Sequence, residues 1–513
     1  MKHTHTARLL INGSALRLLK TSAGIAIGFL MMPFLINNLG SEMYGLWVII
    51  GSVVSSYYLL DLGFSQAVTR FVSKSIHQDD ALSANKIINT ALVIYCALGL
   101  LILLVSTIFA FYGADSLIKN KENLTIVQVL LIISGISLAV EFPAKAFPGI
   151  ISAYLRYDTL ALVGLVKIII DAVLIYFFIS NGFGLIALSL IGFFTGLAST
   201  LFFVWYSTSL FKEMKLKKSL VDMKTAQEVY HFSKWVFVID ICRLIKTKMD
   251  IWLIAYFSTL SLVTLYYVAV RLVDYAIQFL SQATGITGPL FTKFYAKNDY
   301  ESLSKAVVLF LKINIFLGSL IIAGFYLVGE DFIRFWMGAE FEYSTAYQCL
   351  LILAIGRMVT YFTEPLNSLL LTLNEHSFTA KLSIVEAALS VLLGLYLIPD
   401  YSLVGAALSI SIPLVISRIF IFPIYSFKRI QVKKLALAGH VISFNVVLAV
   451  IIIVIGNMSL LGAVDGNLLT ILVKSCVVML ATCVAGLCLF SKNEILFVVN
   501  KLKSSTFSKK IGA

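Results

Sequence analysis

Charged side chains lie inside long apolar stretches of this 513-residue chain, and they are the residues that could do chemistry. An Arg, Lys or Asp that faces lipid at mid-depth in a bilayer costs about 2.5–3.5 kcal/mol, so such residues usually face a wet cavity or a partner. The basic ones are Lys20, Lys145, Lys167, Arg243, Lys246, Lys248, Arg271, Lys312, Arg357, Arg418 and Lys474. The acidic ones are Asp61, Glu141, Asp171, Asp240, Asp250, Asp274, Glu364 and Glu386.

Several of these residues recur at helical spacing, which places them on one helix face. Arg271 and Asp274 are three residues apart, and Arg357 and Glu364 are seven apart. In the second half of the chain the cations outnumber the acids, so we expect a surplus that binds an anionic cargo. Arginine suits phosphate, because its planar fork donates two hydrogen bonds and stays charged. The expected substrate-binding residues of this half are Arg271, Arg243, Lys246 and Arg357.

For the remaining charges we expect two kinds of role: structural pairing or anchoring of a helix, and coupling of transport to an ion gradient. Lys167 and Asp171, like Glu141 and Lys145, are four residues apart, which predicts ion pairs along one helix. Near span ends, where a long side chain can reach the interface, lie Lys20, Arg418 and Lys474. An acid beside a buried base could take up H⁺ or Na⁺ and couple transport to a gradient, and the expected coupling residues are Asp274, Asp61 and Glu386.

The elements that must position these residues are apolar stretches long enough to cross a bilayer, which takes about 20 residues per helix. We expect them at residues 18–37, 43–65, 88–112, 125–150, 160–180, 185–206, 235–257, 262–286, 306–328, 346–371, 382–398, 403–425, 438–457 and 467–490. Hydrophobic residues make up 59% of the chain and charged residues 13%. The sequence therefore predicts an all-α polytopic membrane protein with about 14 transmembrane helices.

The loops between the spans alternate in charge. All Lys and Arg residues outside the spans fall in alternate loops except Lys119, Lys121 and Arg334. Basic loops stay on the cytoplasmic side, so both termini are expected in the cytoplasm. This bias also accounts for the net charge of +13 without a nucleic-acid partner.

The two halves of the chain are related to each other. Residues Arg156 to Phe203 resemble His376 to Pro423 in the same orientation, which is a parallel repeat of the kind found in transporters. We therefore expect two pseudo-symmetric six-helix lobes, a linker and two additional helices with a cytoplasmic tail. Their expected bounds are 1–206 for the first lobe, 207–234 for the cytoplasmic linker, 235–425 for the second lobe and 426–513 for the remainder.

Catalytic and cofactor motifs are not found in the sequence. It contains no Walker A loop, no CxxC pair and no histidines at metal-ligand spacing, so we expect no enzyme activity, no cofactor and no metal.

Two short segments carry a family resemblance: Leu39 to Trp47 (LGSEMYGLW) and Tyr154 to Asp158 (YLRYD). With the layout of spans, they resemble the Wzx-type flippases of the polysaccharide transporter family, within the multidrug/oligosaccharidyl-lipid/polysaccharide superfamily. The resemblance implies a bacterial inner-membrane flippase, in which two lobes alternate access around a cationic cavity. Its cargo would be an undecaprenyl-diphosphate-linked oligosaccharide, the O-antigen or capsule precursor of lipopolysaccharide and polysaccharide biosynthesis.

The resemblance also implies residue roles and partners. Related lipid II flippases use basic residues on span one and an arginine on span eight, and here Arg17 with Lys20, and Arg271, fit those roles. An O-antigen polymerase and a chain-length regulator are the protein partners it implies. Two alternatives stay open: a cation-coupled multidrug antiporter of the same fold, and a membrane glycan polymerase, which would need a longer external loop than this chain has.

Overall fold

The computed structural model of the chain describes residues 2–61, 64–117, 121–284, 287–338, 340–430, 434–457, 468–490 and 494. These residues are almost all helical, and no strand occurs among them. The α-helices are α1 (Lys2–Leu39), α2 (Ser41–Tyr57), α3 (Phe64–His77), α4 (Ala81–Tyr112), α5 (Leu124–Ala144), α6 (Ala146–Ala153), α7 (Tyr157–Ser180), α8 (Leu185–Leu210), α9 (Met223–Phe257), α10 (Leu260–Thr284), α11 (Thr287–Ala296), α12 (Tyr300–Met337), α13 (Tyr343–Phe362), α14 (Glu364–Thr372), α15 (His376–Ile416), α16 (Phe422–Phe427), α17 (Lys434–Asn457) and α18 (Leu468–Gly486).

The helices have the length and composition of membrane spans. Within the described residues, ten helical segments are long and apolar enough to cross a bilayer, and two shorter apolar helices follow at Gly439–Val454 and Thr470–Gly486. The segment Ser377–Phe427 has 51 residues, more than twice the length that one crossing needs. The all-α polytopic architecture is confirmed, whereas the count of 14 spans stays a prediction.

Both segments of the predicted repeat contain a helix, a tight turn and a second helix. The first turn, between α7 and α8, has Gly182 at φ 82°. The second interrupts α15 at Ser402, where φ is 48° and ψ is −126°. Gly405 makes this second turn possible, because a Cβ there would overlap the carbonyl oxygen of Leu397 across the turn. The reversal at Ser402 divides Ser377–Phe427 into two helical arms.

The chain divides into two compact units, Met1–Tyr267 and Val268–Ala513, with the boundary inside α10. In the first unit α4 packs on α5 and α1 packs on α7. In the second unit α12 packs on α13 and α18, around a core that includes Phe291, Leu366 and Phe444, all fully buried. Each unit thus has its own interior. The lobe bounds predicted from the sequence, at residues 206 and 235, stay a prediction.

Gly45 lets two helices of the first unit approach closely. A Cβ on this α2 residue would overlap the carbonyl oxygen of Leu260 at the start of α10, and it would lie 3.0 Å from the Thr264 hydroxyl oxygen. The same Thr264 hydroxyl donates a hydrogen bond of 2.6 Å to the carbonyl of Ser41. The glycine in the LGSEMYGLW segment is therefore required by packing of backbone against backbone.

Two asparagines of α4 hold the linker that follows α8. The Asn85 carboxamide donates to the carbonyl of Glu213 at 2.9 Å and accepts from the amide of Lys215 at 2.7 Å. Asn89, four residues later, donates to the carbonyl of Lys215 at 2.7 Å and accepts from the amide of Lys217 at 2.9 Å. Both asparagines are buried, with 4% and 5% of their surface exposed. This part of the basic linker is therefore tied to the first unit.

We predict that Gly45→Ala lowers the free energy of unfolding by about 1–3 kcal/mol, because the added methyl group meets backbone that cannot rotate away. The thermal unfolding midpoint of the purified chain in detergent measures the effect. Gly51→Ala on the same helix is the matched control, since a Cβ there has no atom within 4 Å. Equal midpoints for the two variants would contradict the packing role of Gly45.

We predict that Asn89→Ala frees the linker. The substitution leaves the Lys215 carbonyl and the Lys217 amide without their partner, at a cost of about 1–3 kcal/mol. Limited trypsin digestion should then cut at residues 215–218 several times faster than in the parent chain. Asn38→Ala is the control, because Asn38 is exposed and bonds only the Phe34 carbonyl of its own helix. An unchanged cleavage rate at the linker would show that the asparagines do not hold it.

Candidate functional site

Two basic residues near the middle of α1 lie against α7. The Arg17 guanidinium is exposed and stands 5.7 Å from the ring centre of Tyr157, the first residue of α7. Lys20 lies one turn further, and a Cβ on Gly164 of α7 would be 2.7 Å from its Nζ. Because Gly164 has no side chain, there is space beside α7 for the Lys20 amine. Both cations therefore lie beside α7, in the first unit.

Arg243 and Lys246 lie on α9, also in the first unit. Arg243 is largely exposed and pairs with Asp240, one turn earlier. Asp250 is buried, and it accepts 2.7 Å and 2.9 Å hydrogen bonds from the Tyr266 hydroxyl and its neighbour's backbone amide. The predicted face of α9 thus contains a fixed acid at one end and exposed or half-buried cations at the other.

A charged cluster of the second unit joins α10 to α13. Arg271 and Asp274 are the only charged residues in the sequence of α10, and Arg357 is the only one in that of α13. The Arg357 guanidinium donates to the Asp274 carboxylate at 2.8 Å. Arg271, one turn before Asp274, donates to the Tyr275 hydroxyl at 2.9 Å, and its guanidinium stands 4.5 Å from the Tyr275 ring centre. Two arginines and one acid therefore lie on two otherwise uncharged helices, and Arg357 bonds Asp274 between them.

Glu386, an expected coupling residue, is sealed in the second unit. Its side chain is 1% exposed, and it accepts from the Arg418 Nε at 3.0 Å and from the Ser417 hydroxyl. Arg418 is itself buried and stands 4.6 Å from the ring centre of Phe422. A carboxylate that is bonded in this way, without access to solvent, favours a structural ion pair over exchange with an ion.

Asp61, the expected coupling residue of the first unit, pairs with Lys145 at 3.6 Å and accepts from the Ser65 hydroxyl at 2.7 Å. The Lys145 amine also stands 4.6 Å from the ring centre of Tyr58, whose hydroxyl donates to both Glu141 oxygens at 3.2 Å. The pair that the sequence predicted, Glu141 with Lys145, is replaced by these two contacts.

A cavity of about 560 Å³ lies inside the first unit, and the sequence did not reveal it. Its polar lining includes Glu141, Lys145, Lys167, Asp171 and Ser189. The predicted Lys167–Asp171 pair forms, at 2.7 Å, on its wall. One signal in the sequence could have indicated the cavity: small residues at helical spacing form one face of α8, at Ser189, Gly192, Gly196 and Ser199.

The YLRYD segment forms the turn into α7. Leu155 has a φ of 58°, and the Arg156 guanidinium donates to the Asp158 carboxylate at 3.0 Å and the Thr159 hydroxyl at 3.2 Å. The hydrogen bond to Asp158 raises the pKa of Arg156. This arginine therefore remains charged and fixes the start of α7, the helix that carries Lys167 and Asp171.

The comparisons with known proteins decide the family. Residues 39–346, which include both resembling segments, match the family model described as Polysaccharide biosynthesis protein. The chain belongs to this family. A relative from Bacillus subtilis (strain 168), named "Uncharacterized membrane protein EpsK", is 22% identical over 411 residues, which are 79% of this chain and 80% of the relative. "Probable low-salt glycan biosynthesis flippase Agl15" from Haloferax volcanii is 20% identical over 442 residues, 83% of this chain and 88% of the relative.

Solved structures show the same fold. "Lipid II flippase MurJ, inward closed conformation" matches with a TM-score of 0.68 at 13% identity, over 94% of this chain and 98% of that one. An inward-facing multidrug resistance MATE family transporter of the MOP superfamily matches with a TM-score of 0.66 at 13% identity, over 81% of this chain and 98% of that one. The predicted fold is confirmed for this member of the polysaccharide biosynthesis protein family.

We predict that Asp274 and Arg357 are energetically coupled. In a double-mutant cycle with Asp274→Asn and Arg357→Gln, the coupling free energy should be about 1–3 kcal/mol, because either single change leaves one charged group without its partner. Unfolding of the purified variants in detergent measures it. The exposed pair Glu301–Lys305 is the control, and Glu301→Gln should not move the unfolding midpoint. Additive effects of the two substitutions would show that the pair contributes nothing.

Proposed function

We propose that this member of the polysaccharide biosynthesis protein family is a flippase for undecaprenyl-diphosphate-linked oligosaccharide repeat units, the precursors of O-antigen or capsule. It would act by alternating access in the bacterial inner membrane, with both termini in the cytoplasm. The observation that carries the proposal is the cluster on α10 and α13, where two arginines accompany a single acid inside apolar helices. The names of the relatives and the multi-pass architecture support it.

An anionic head group explains why arginines occupy these positions. Transfer of a diphosphate across the hydrocarbon core requires that its charge be matched on the way, since no water is present there to do so. A guanidinium can bind two phosphate oxygens at once and does not lose its proton. We assign this contact to Arg271 and Arg357. Arg17 and Lys20 of α1 would receive the head group on entry, and Arg243 with Lys246 of α9 are the further binding residues that we propose in the first unit.

The Arg357–Asp274 pair offers a way to couple the cargo to an ion. The Asp274 side chain is 35% exposed, whereas that of Arg357 is 10% exposed. A cargo phosphate can therefore replace the carboxylate at the guanidinium, and the released Asp274 would take up H⁺ or Na⁺. Asp61, which is 17% exposed beside Lys145, is a second acid of this kind. Glu386 fits the coupling role less well, because its carboxylate is sealed by Arg418 and Ser417.

We predict that Arg271→Ala reduces surface glycan at least tenfold in cells whose glycan display depends on this chain. Arg271→Lys should give an amount of surface glycan between those of Arg271→Ala and the parent, since lysine keeps the charge but lacks the planar fork of the guanidinium. Glycan is quantified on the cell surface, and the amount of protein in the membrane is measured by immunoblot. Arg334→Ala is the matched control: Arg334 also stands over a tyrosine ring, that of Tyr343 at 5.6 Å, but it is exposed near the end of α12.

Two outcomes would overturn the assignment. Normal glycan display with Arg271→Ala, at normal protein level, would remove Arg271 from the transport site. If deletion of the chain changed drug sensitivity and left lipid-linked glycan unaltered on the cytoplasmic leaflet, the chain would instead be an antiporter of the same fold.

A further inference from the structure

The cavity of the first unit has the size of a ligand site. Its volume of about 560 Å³ falls within the roughly 300–1,000 Å³ that is usual for sites that bind small molecules. Residues of α2, α5, α6, α7 and α8 line it, so that all its walls belong to one compact unit. The cavity is therefore a property of this unit alone, and it is separate from the arginine cluster assigned to the phosphate.

Two polar atoms in its wall lack partners. The Ser189 hydroxyl and the Asp171 Oδ1 are buried and have no hydrogen-bond partner among the described residues. Ser189 is only 8% exposed, and the other oxygen of Asp171 is engaged by Lys167. A buried polar atom without a partner costs about 1–3 kcal/mol, so such atoms in a cavity wall indicate a guest that bonds them.

The charges on the wall indicate the chemistry of that guest. The lining contains two lysines, Lys145 and Lys167, and two carboxylates, Glu141 and Asp171; Asp61, which pairs with Lys145, is outside the lining. A phosphate would favour a net positive wall, and a cationic drug would favour a net negative one. A neutral guest with many hydroxyl groups suits a balanced wall, because each hydroxyl can donate to a carboxylate and accept from an ammonium or a serine.

Aromatic residues supply the second element that a sugar requires. Trp47 and Tyr58 line the same cavity, beside the hydroxyl groups of Ser134 and Ser137. The carbon-bound hydrogens of a pyranose ring form an apolar face that packs on aromatic rings, while the hydroxyl groups at its edge need polar partners. The pocket thus contains aromatic rings for the apolar face of a sugar, and carboxylates and serines for its hydroxyl groups.

We propose that this cavity is a subsite for an uncharged hexose unit of the cargo glycan, and that it contributes to the choice of glycan. The inference rests on the proposed flippase function. Ser189 and the free oxygen of Asp171 bond sugar hydroxyl groups, and the Lys167 ammonium holds Asp171 in place. The diphosphate and the sugar would then be recognised by different groups of residues in the same chain.

Gly196 allows a test that does not threaten the fold. It lines the cavity, and a Cβ there has no atom within 4 Å, so that Gly196→Leu fills the space without a backbone clash. The probes are the methyl glycosides of glucose, galactose, mannose and N-acetylglucosamine, and saturation-transfer NMR measures their binding to the full chain in lipid nanodiscs. At least one glycoside should bind the parent chain with a millimolar dissociation constant. It should bind Ser189→Ala at least fivefold more weakly, and its binding to Gly196→Leu should be undetectable.

Two control variants show whether a loss of sugar binding is specific to the cavity. Gly324→Leu on α12 also adds a side chain where no atom lies within 4 Å, and Ser209→Ala removes an exposed hydroxyl from the same helix as Ser189. Both should bind the sugar as the parent does. If no glycoside binds, or if Gly196→Leu binds as well as the parent, the proposal is overturned. Stabilisation by Na⁺ that Asp171→Asn abolishes, with no sugar binding, would likewise overturn it by identifying an ion site.

The cellular readout separates this proposal from the proposed function. Gly196→Leu should reduce glycan display at least tenfold, as Arg271→Ala does. If sugar binding is lost in Gly196→Leu but deletion of the chain leaves glycan display unaltered, the flippase assignment fails while the sugar site stands. If Arg271→Ala alone reduces display and Gly196→Leu does not, the flippase assignment stands and the role of the cavity in cargo choice fails.

Discussion

Hydrocarbon offers no hydrogen bonds, and this constraint determines where the charged side chains of the chain are found. Inside an apolar helix a charge must meet an opposite charge, a polar group or water. The described residues satisfy it largely with internal pairs: Lys167 with Asp171, Arg357 with Asp274, Arg418 with Glu386, Lys474 with Asp331 and Lys312 with Glu494. Removal of one partner from a buried pair costs about 3–5 kcal/mol, against about 0–1 kcal/mol at the surface. Where the partners lie on different helices, as in Arg357–Asp274 and Lys474–Asp331, the pair helps to fix which helices pack together.

The sequence predicted these pairs only where both partners lie on one continuous helix. Lys167 and Asp171 are such a case, because α7 runs without a break past both. Arg357 and Glu364 are not, since α13 ends at Phe362 and Pro365 stands at the start of α14. The backbone departs from helical geometry at Thr363, with φ −90° and ψ 4°, which interrupts the face that a spacing of seven would otherwise define. Arg357 meets Asp274 instead, 83 residues away, and no local pattern indicates a contact of that range.

The fold was more predictable than the ion pairs, because it depends on local composition and not on long-range contacts. A run of about 20 apolar residues has few alternatives in lipid, so the spans follow from composition, and the turns at Gly182 and Ser402 follow from short polar breaks. The anchoring of the linker was not predictable. Asn85 and Asn89 look like ordinary helix residues in the sequence, and only the structure shows that their carboxamides bond the backbone at 213–217. The cavity was missed likewise, because it is defined by what five helices leave empty.

The pairs differ in how easily they can open, and this difference bears on transport. A carrier must release its cargo, so the group that binds the cargo needs an internal partner to which it can return. Glu386 is less suited to this role, since its 1% exposed carboxylate is bonded by Arg418 and Ser417. Asp274 is 35% exposed and accepts a 2.8 Å hydrogen bond from Arg357, so an anion can approach this pair from the side of the carboxylate. In the function that we propose, exchange between carboxylate and phosphate would keep the arginine paired throughout and so would lower the barrier that an isolated buried charge imposes.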